Sequence, residues 1–251
     1  MIPISGDVSD VNLGITDKEL INEMCGEIDF IINSAATTRF DERYDVAMDI
    51  NAFGPLNVLN FAKRCSKLKL LLHVSTGTRL GVLEEAAIEM GTTIEGAKAS
   101  CLDIEGEMKL IEEAKKQLHA QNVNQNEFTS TLRDLGIQRA NFHGWPDTYS
   151  YTKAIGEMNL GYFNNSKNIH IIILRPSIIS STHKDPFPGW MEGVKTLDAI
   201  FVPYAKRKLN IVLCDPNVIL DVIPGDMVVN SMLAAMAADA QNECNKLSIY
   251  H

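Results

Sequence analysis

The sequence predicts an α/β fold: a doubly wound parallel sheet with helices on both faces. Three observations predict it. Residues 28–36 ("IDFIINSAA"), 67–76 ("KLKLLLHVST") and 168–177 ("NIHIIILRPS") are short, continuous apolar runs without in/out alternation. Such runs suit strands covered on both sides. Helical patterns separate them, giving the order strand, helix, strand, helix, strand, for which right-handed crossovers are the rule. A Ser75-Thr76 pair closes the second run, at the strand end where open α/β sheets bind ligands.

The elements follow in order. After the first strand, residues 45–65 place Val46, Ile50, Phe53, Leu56, Val58, Leu59 and Ala62 on a rough helical stripe. Gly54-Pro55 interrupts that stripe, which argues against a straight helix. About residues 82–140 form a helical insertion rich in Glu and Lys, with a second short helix in 124–140 and a polar, flexible link at 121–126 ("QNVNQN"). A helix beginning near Tyr149 precedes the third strand. Residues 181–190 ("STHKDPFPGW") read as a loop. Two short strands are expected in "KLNIVLC" (208–214) and "NVILDVIP" (217–224), a helix in 225–240 and a last strand in "KLSIY" (246–250). Neither repeats nor low-complexity tracts occur.

Composition narrows the function. The chain has 251 residues, a formal charge of -9 and a pI near 5.2. A net acidic chain argues against nucleic acid as the main partner, since phosphate binding needs a basic face. The triplet Lys206-Arg207-Lys208 reads as a solvated loop before it reads as an anion site. Five scattered cysteines, with no CxxC pair, read as reduced thiols inside a cell. The six histidines do not join them at zinc-ligand spacing, so no metal is expected. The start, "MIPISGDVSD", lacks the basic and apolar regions of a secretory signal. No run reaches the roughly 20 apolar residues of a membrane span.

The chemistry centres on Tyr149 and Lys153, spaced i, i+4 in "TYSYTK". That spacing puts both on one helix face. A phenol is a weak acid at its usual pKa of about 10, and a nearby ammonium lowers that value. A strand-end hydroxyl from Ser75 or Thr76 would hold a substrate oxygen beside the phenol. Each candidate has a plainer reading. The pair alone is a common chance pattern. Asp7 suits a turn cap, and Asn51 suits a buried backbone clamp. His73 reads as a satisfied core histidine. His143 and Trp145 read as packing or turn residues, and Phe187, Pro188 and Trp190 as either an acyl channel or a packed loop.

These residues, with "INSAATTRFDERYDVAMDINAFGPLNVLNFAKRC", "LRDLGIQRANFHGWPDTYSYTKAIGE" and "ILRPSIISSTHKDPFPGWMEGVKTLDAI", give the chain a family likeness. It resembles the extended short-chain dehydrogenase/reductases and, within them, the plant alcohol-forming fatty acyl-CoA reductases. The likeness covers most of residues 5–251. It implies a Rossmann-like fold and NADPH-dependent reduction of a long-chain fatty acyl-CoA to a primary alcohol through an aldehyde. By matching positions it implies Tyr149 as general acid, Lys153 as its partner on the nicotinamide ribose, and Thr76 as the carbonyl-polarising hydroxyl, with Ser75 beside it. It implies cofactor contacts at Asp7 near the adenine, at Ala35 and Ala36, at Asn51 of the "NxxG" pattern, and at the turn Arg175-Pro176.

The chain also departs from the family. The family's opening strand, glycine-rich phosphate turn and helix have no counterpart here, so the first βαβ unit is expected to be missing and a sheet edge unpaired. "STGTRLGVLEEA" replaces an "STAYVCGE"-like run, setting Thr78 and Arg79 beside the expected cofactor. The family's C-terminal domain is expected to be missing after His251. The expectation is one partial NAD(P)-binding domain over 1–251, a poor enzyme alone, and an alternative is a non-catalytic member that pairs with a partner supplying the missing unit. A nucleotide-sugar epimerase or dehydratase is a third reading, opposed by "DPFPGW" and "HGWPDTY". Peripheral membrane association is left open, as is the compartment, endoplasmic reticulum surface or plastid.

Overall fold

A computed structural model describes residues 2–76, 103–163, 169–194, 197–212, 215, 217–239 and 247–251. Residues 82–102 of the predicted insertion, and Thr78 and Arg79, lie outside them.

Four parallel strands form the main sheet: β1 (Phe30–Asn33), β2 (Leu70–Val74), β3 (Ile171–Leu174) and β6 (Leu247–Tyr250), in the order β1-β2-β3-β6. Their centres coincide with the predicted runs. Residue parity assigns the two faces. Leu71, Ile171 and Ile173 face α3 (Gly54–Ala62) and α6 (Thr148–Phe163) through Val58, Leu59, Ala62 and Leu160. Leu70, Leu72 and Ile172 face α8 (Gly225–Asp239) through Met232, Ala235 and Met236. α1 (Lys18–Glu27), capped by Asp17, packs Ile21 and Cys25 against Phe61 of α3.

The first run is buried on one face only. Ile31 joins the α1 and α3 side, while Phe30 and Ile32 are 43% and 46% exposed. α8 packs against β2 and β3, and leaves that face of β1 largely open to solvent. The third run also differs from expectation. Pro176 has no N–H to donate, and the chain leaves the main sheet there. It pairs β4 (Ile178–Ser180) with β5 (Val222–Pro224) in a separate two-stranded sheet. Residues 208–212 are not a strand, and Ile211 projects into solvent. The short helix α7 (Asp198–Ala205) precedes them.

Gly54-Pro55 does alter its helix. The segment starts as α2 (Tyr44–Ala47), widens into a π-helical turn (Met48–Phe53) and continues as α3. Pro55 cannot donate to the carbonyl of Asn51 four residues back. The widened turn leaves that carbonyl facing Gly156 of α6, where a Cβ would meet it at 2.3 Å. Asn159 donates to the next carbonyl, Ala52 O, at 2.8 Å. A proline in one helix and a glycine in the other thus set the close crossing that positions α6.

The insertion contributes α4 (Ile104–Ala120) and α5 (Gln125–Phe142). The predicted link is a tight turn, because the Asn124 side chain caps α5 through the N–H groups of Asn126 and Glu127, both at 3.0 Å. Among the described residues no helix is long and apolar enough to cross a membrane.

Candidate active site

The site lies where α6 begins, against the C-terminal ends of β1 and β2. Asp147 fixes the start of α6: its carboxylate accepts from the Ser150 N–H at 2.7 Å and the Ser150 hydroxyl at 3.1 Å. This cap places Tyr149 in the first turn. The phenol is half-buried and edge-on to Phe40, with ring centroids 5.7 Å apart, and the Thr76 side chain is close enough to act on it. Burial raises its pKa, the Thr76 side chain lowers it, and Asp147 raises it. The net shift is upward.

Lys153, one turn on, is 1% exposed. Its Nζ donates to Val74 O at 2.8 Å and lies 3.5 Å from His73 Nε2. Burial lowers its pKa to about 8, against a smaller upward pull from Glu157. Here the electrostatic expectation is corrected. The i, i+4 spacing does put both residues on one face, yet the amine reaches down to the strand end. Thr76, rather than Lys153, is the group that pulls the phenol's pKa down.

Ser75 continues the strand pairing, donating from its N–H to Leu174 O at 2.7 Å. Ala35 is exposed and Ala36 half-buried in the loop after β1. Asn51 clamps that loop: its Oδ1 accepts from Thr37 N at 3.0 Å, and its Nδ2 donates to Thr37 O at 3.1 Å and Thr152 Oγ1 at 3.2 Å. Asp7 is exposed and accepts from the N–H and hydroxyl of Ser9 at 2.9 and 2.7 Å, which hold its carboxyl below the usual range. Asn57 ties this turn to α3 through Val8 O and Ser9 O, both at 3.0 Å. The Arg175 guanidinium pairs with Glu157 of α6, Nη2 to Oε2 at 2.6 Å and Nε to both oxygens at 3.1 Å. Pro176 is the residue at which the chain leaves the sheet.

Sequence reasoning missed three partners: Asn33, Glu157 and the relation of His73 to Lys153. A signal existed for the first. Asn33 and His73 are register partners, on the parity that faces α6. His143 and Trp145 pack as expected, His143 Nε2 lying 3.1 Å from Glu107 Oε1 and Trp145 inside the core. Phe187 and Trp190 are exposed, on a loop whose N–H groups at His183, Lys184 and Asp185 all donate to the Asp226 carboxylate.

A helix that brings a Tyr and a Lys against the hydroxyl end of a parallel strand is one observation; the match to known proteins is the deciding one. Residues 1–232 match the family model described as "Male sterility protein", a family of NAD-binding domains. The chain belongs to the male sterility protein family. It is 49% identical over 255 residues to the probable fatty acyl-CoA reductase 4 of Arabidopsis thaliana, covering 100% of this chain and 51% of that protein. It is 44% identical over 252 residues to the alcohol-forming fatty acyl-CoA reductase of Simmondsia chinensis, covering 99% of this chain and 50% of that one. The chain thus spans about half the length of the curated relatives it matches. Among solved structures, it resembles the terminal R domain from the myxalamid PKS-NRPS biosynthetic pathway, with a TM-score of 0.60 at 17% identity. That match covers 99% of this chain and 49% of the other, and supports the Rossmann-like fold.

The described residues of this family member fit part of a nicotinamide site. Tyr149 and Lys153 of α6 stand against the end of β2, with Lys153 anchored on Val74 O, and Asn33 and His73 connect Lys153 to the loop that carries the small Ala35 and Ala36. The described glycines do not extend this to a pyrophosphate cradle. Gly6 and Gly14 pack on their own turn, and a Cβ on them would meet Leu13 O at 2.4 Å and Asp7 N at 2.8 Å.

Proposed function

We propose that this chain carries the acid-and-helper part of a reductase site that uses NADPH and converts long-chain fatty acyl-CoA to primary alcohol through an aldehyde. Residues 1–251 then act as one partial NAD(P)-binding reductase unit. The observation that carries the reading is the Tyr149 phenol beside the Thr76 side chain, just past the end of β2, one turn from the buried Lys153. The names of the relatives support the substrate class.

When bound, the cofactor supplies hydride. The chain's own residues do the rest. Thr76 and Tyr149 hold the acyl oxygen, and Tyr149 gives its proton as charge develops there. A phenol whose pKa is raised keeps its proton until that charge appears. Lys153, fixed on Val74 O, would hold the ribose of a bound nicotinamide cofactor. Asn51 holds the loop after β1 in the shape that lets a cofactor approach the small side chains.

The test has two parts. NADPH and NADH are titrated against the 251-residue chain by fluorescence, which separates the two cofactors. It also tests the alternative, a chain that holds neither by itself. Alcohol formation from a long-chain acyl-CoA is then compared between wild type and Tyr149→Phe. Loss of product by at least about a hundredfold is expected for removal of a general acid. Undiminished product from the variant refutes the role of Tyr149.

A further inference from the structure

Two polar side chains, Asn33 and His73, connect the loop after β1 to Lys153 through the inside of the sheet. The backbone N–H of Ala35 donates to Asn33 Oδ1 at 3.3 Å. This contact fixes the amide, because only the oxygen can accept. Asn33 Nδ2 therefore faces His73 Nδ1, at 3.1 Å, and donates to it. With Nδ1 accepting, the ring proton of neutral His73 sits on Nε2. Nε2 lies 3.5 Å from Lys153 Nζ. His73 is fully buried, and burial together with Lys153 keeps it neutral, well below its usual pKa.

This arrangement suits one protonation state of Lys153. A neutral amine donates one N–H to Val74 O and accepts from His73 Nε2–H. A charged ammonium has no lone pair, so two donors would face each other. To satisfy the ammonium, His73 must carry its proton on Nδ1 and present a bare Nε2. Nδ1–H then needs an acceptor, so the Asn33 amide must turn its oxygen toward the ring. Ala35 N–H loses its partner in that state. The exchange conserves protons on the ring: one leaves Nε2 and one arrives at Nδ1, while Lys153 takes its extra proton from water.

We propose that Asn33 and His73 are positioning residues that couple the proton on Lys153 to the backbone of Ala35, through the tautomer of His73. The charged amine frees the Ala35 N–H for a ligand at that loop, and by linkage such a ligand favours the charged amine. The consequence for a cofactor rests on the reductase reading above; the coupling itself does not. Among the described residues, the titratable groups facing the amine are His73 from β2 and Glu157 from its own helix, with Glu157 paired to Arg175 at the end of β3. Tyr149, one turn earlier, faces Thr76.

The test is NMR on the 251-residue chain, with ¹⁵N-labelled histidine and ¹³Cε-labelled lysine, from about pH 6.5 to about pH 9.5. His73 is expected as the Nε2–H tautomer at the high end and the Nδ1–H tautomer at the low end. Its midpoint and that of the Ala35 amide shift should coincide with the Lys153 Cε titration. Lys153→Met should hold His73 in the Nε2–H form throughout, and Asn33→Ala should uncouple Ala35 from the transition. A His73 that keeps one tautomer across the range in wild type overturns the proposal, as does a transition that persists in Lys153→Met. The wild-type readout needs no variant to fold. No readout uses turnover, so failure here leaves the Tyr149→Phe assay intact, and failure there leaves this coupling intact.

Discussion

At the residue scale, burial matters more than sequence spacing. Lys153 is an ordinary lysine in an i, i+4 pattern, yet the sheet end encloses it and brings its pKa to about 8. That makes a prediction with a definite sign. The folded-state pKa lies below the usual 10.5. Between those values the unfolded chain binds more protons at this position, so the contribution to stability rises with pH across that window. Below it the cost of burying a charge is fully present. Urea unfolding of wild type and Lys153→Met from about pH 7 to about pH 10.5 should show wild type gaining on the variant as pH rises. A constant difference between the two would remove the buried-amine account. The neighbouring Arg175–Glu157 pair shows the opposite case, two buried charges that satisfy each other.

At the element scale, the crossing of α6 over the π-helical turn decides where Tyr149 and Lys153 sit. Gly156 permits that crossing. Gly156→Ala would normally help a helix by about 1 kcal/mol. Here its Cβ would meet a backbone carbonyl at 2.3 Å, so one of the helices must move. A net loss of about 1–3 kcal/mol is expected in a denaturant melt, as for overpacking. Activity should fall further than stability, since α6 carries the site. A variant as stable as wild type would show that the crossing yields freely. The sequence exposed part of this: Gly54-Pro55 marked the helix as irregular. It did not expose Gly156, because a glycine inside a helical pattern says nothing about which backbone passes beside it.

At the scale of the whole molecule, the described helices of the insertion are fastened by a charged cluster. Glu107 of α4 pairs with Arg139 of α5, accepts from the Tyr44 hydroxyl at 2.8 Å and lies within reach of His143. Burial pushes the Glu107 carboxyl up, but Arg139, Tyr44 and His143 together hold it below its usual value. Around it, Tyr44, Ile111, Ala140, Trp145 and Tyr151 form a core that joins α2, α4, α5 and α6. Glu107→Ala should cost about 3 kcal/mol, the low end for breaking a buried pair because Arg139 keeps some contact with solvent. Limited proteolysis should then cut within 103–142 before the sheet. Cleavage at the wild-type rate would show that the apolar contacts alone hold the insertion.

The sequence by itself determined the parallel α/β order and the positions of the four main-sheet strands, and it pointed to Tyr149, Lys153 and Thr76 as candidates. Strand burial and helical spacing are local patterns, and residues close in sequence carry them. Only the tertiary structure decided which side chains meet across elements. Asn51 reaches Thr37, Glu157 reaches Arg175, and Asn33 meets His73 and, through it, Lys153. The physical reason is that strand parity and helix crossing set those distances together. Shifting either by one residue would turn a different set of side chains into the site.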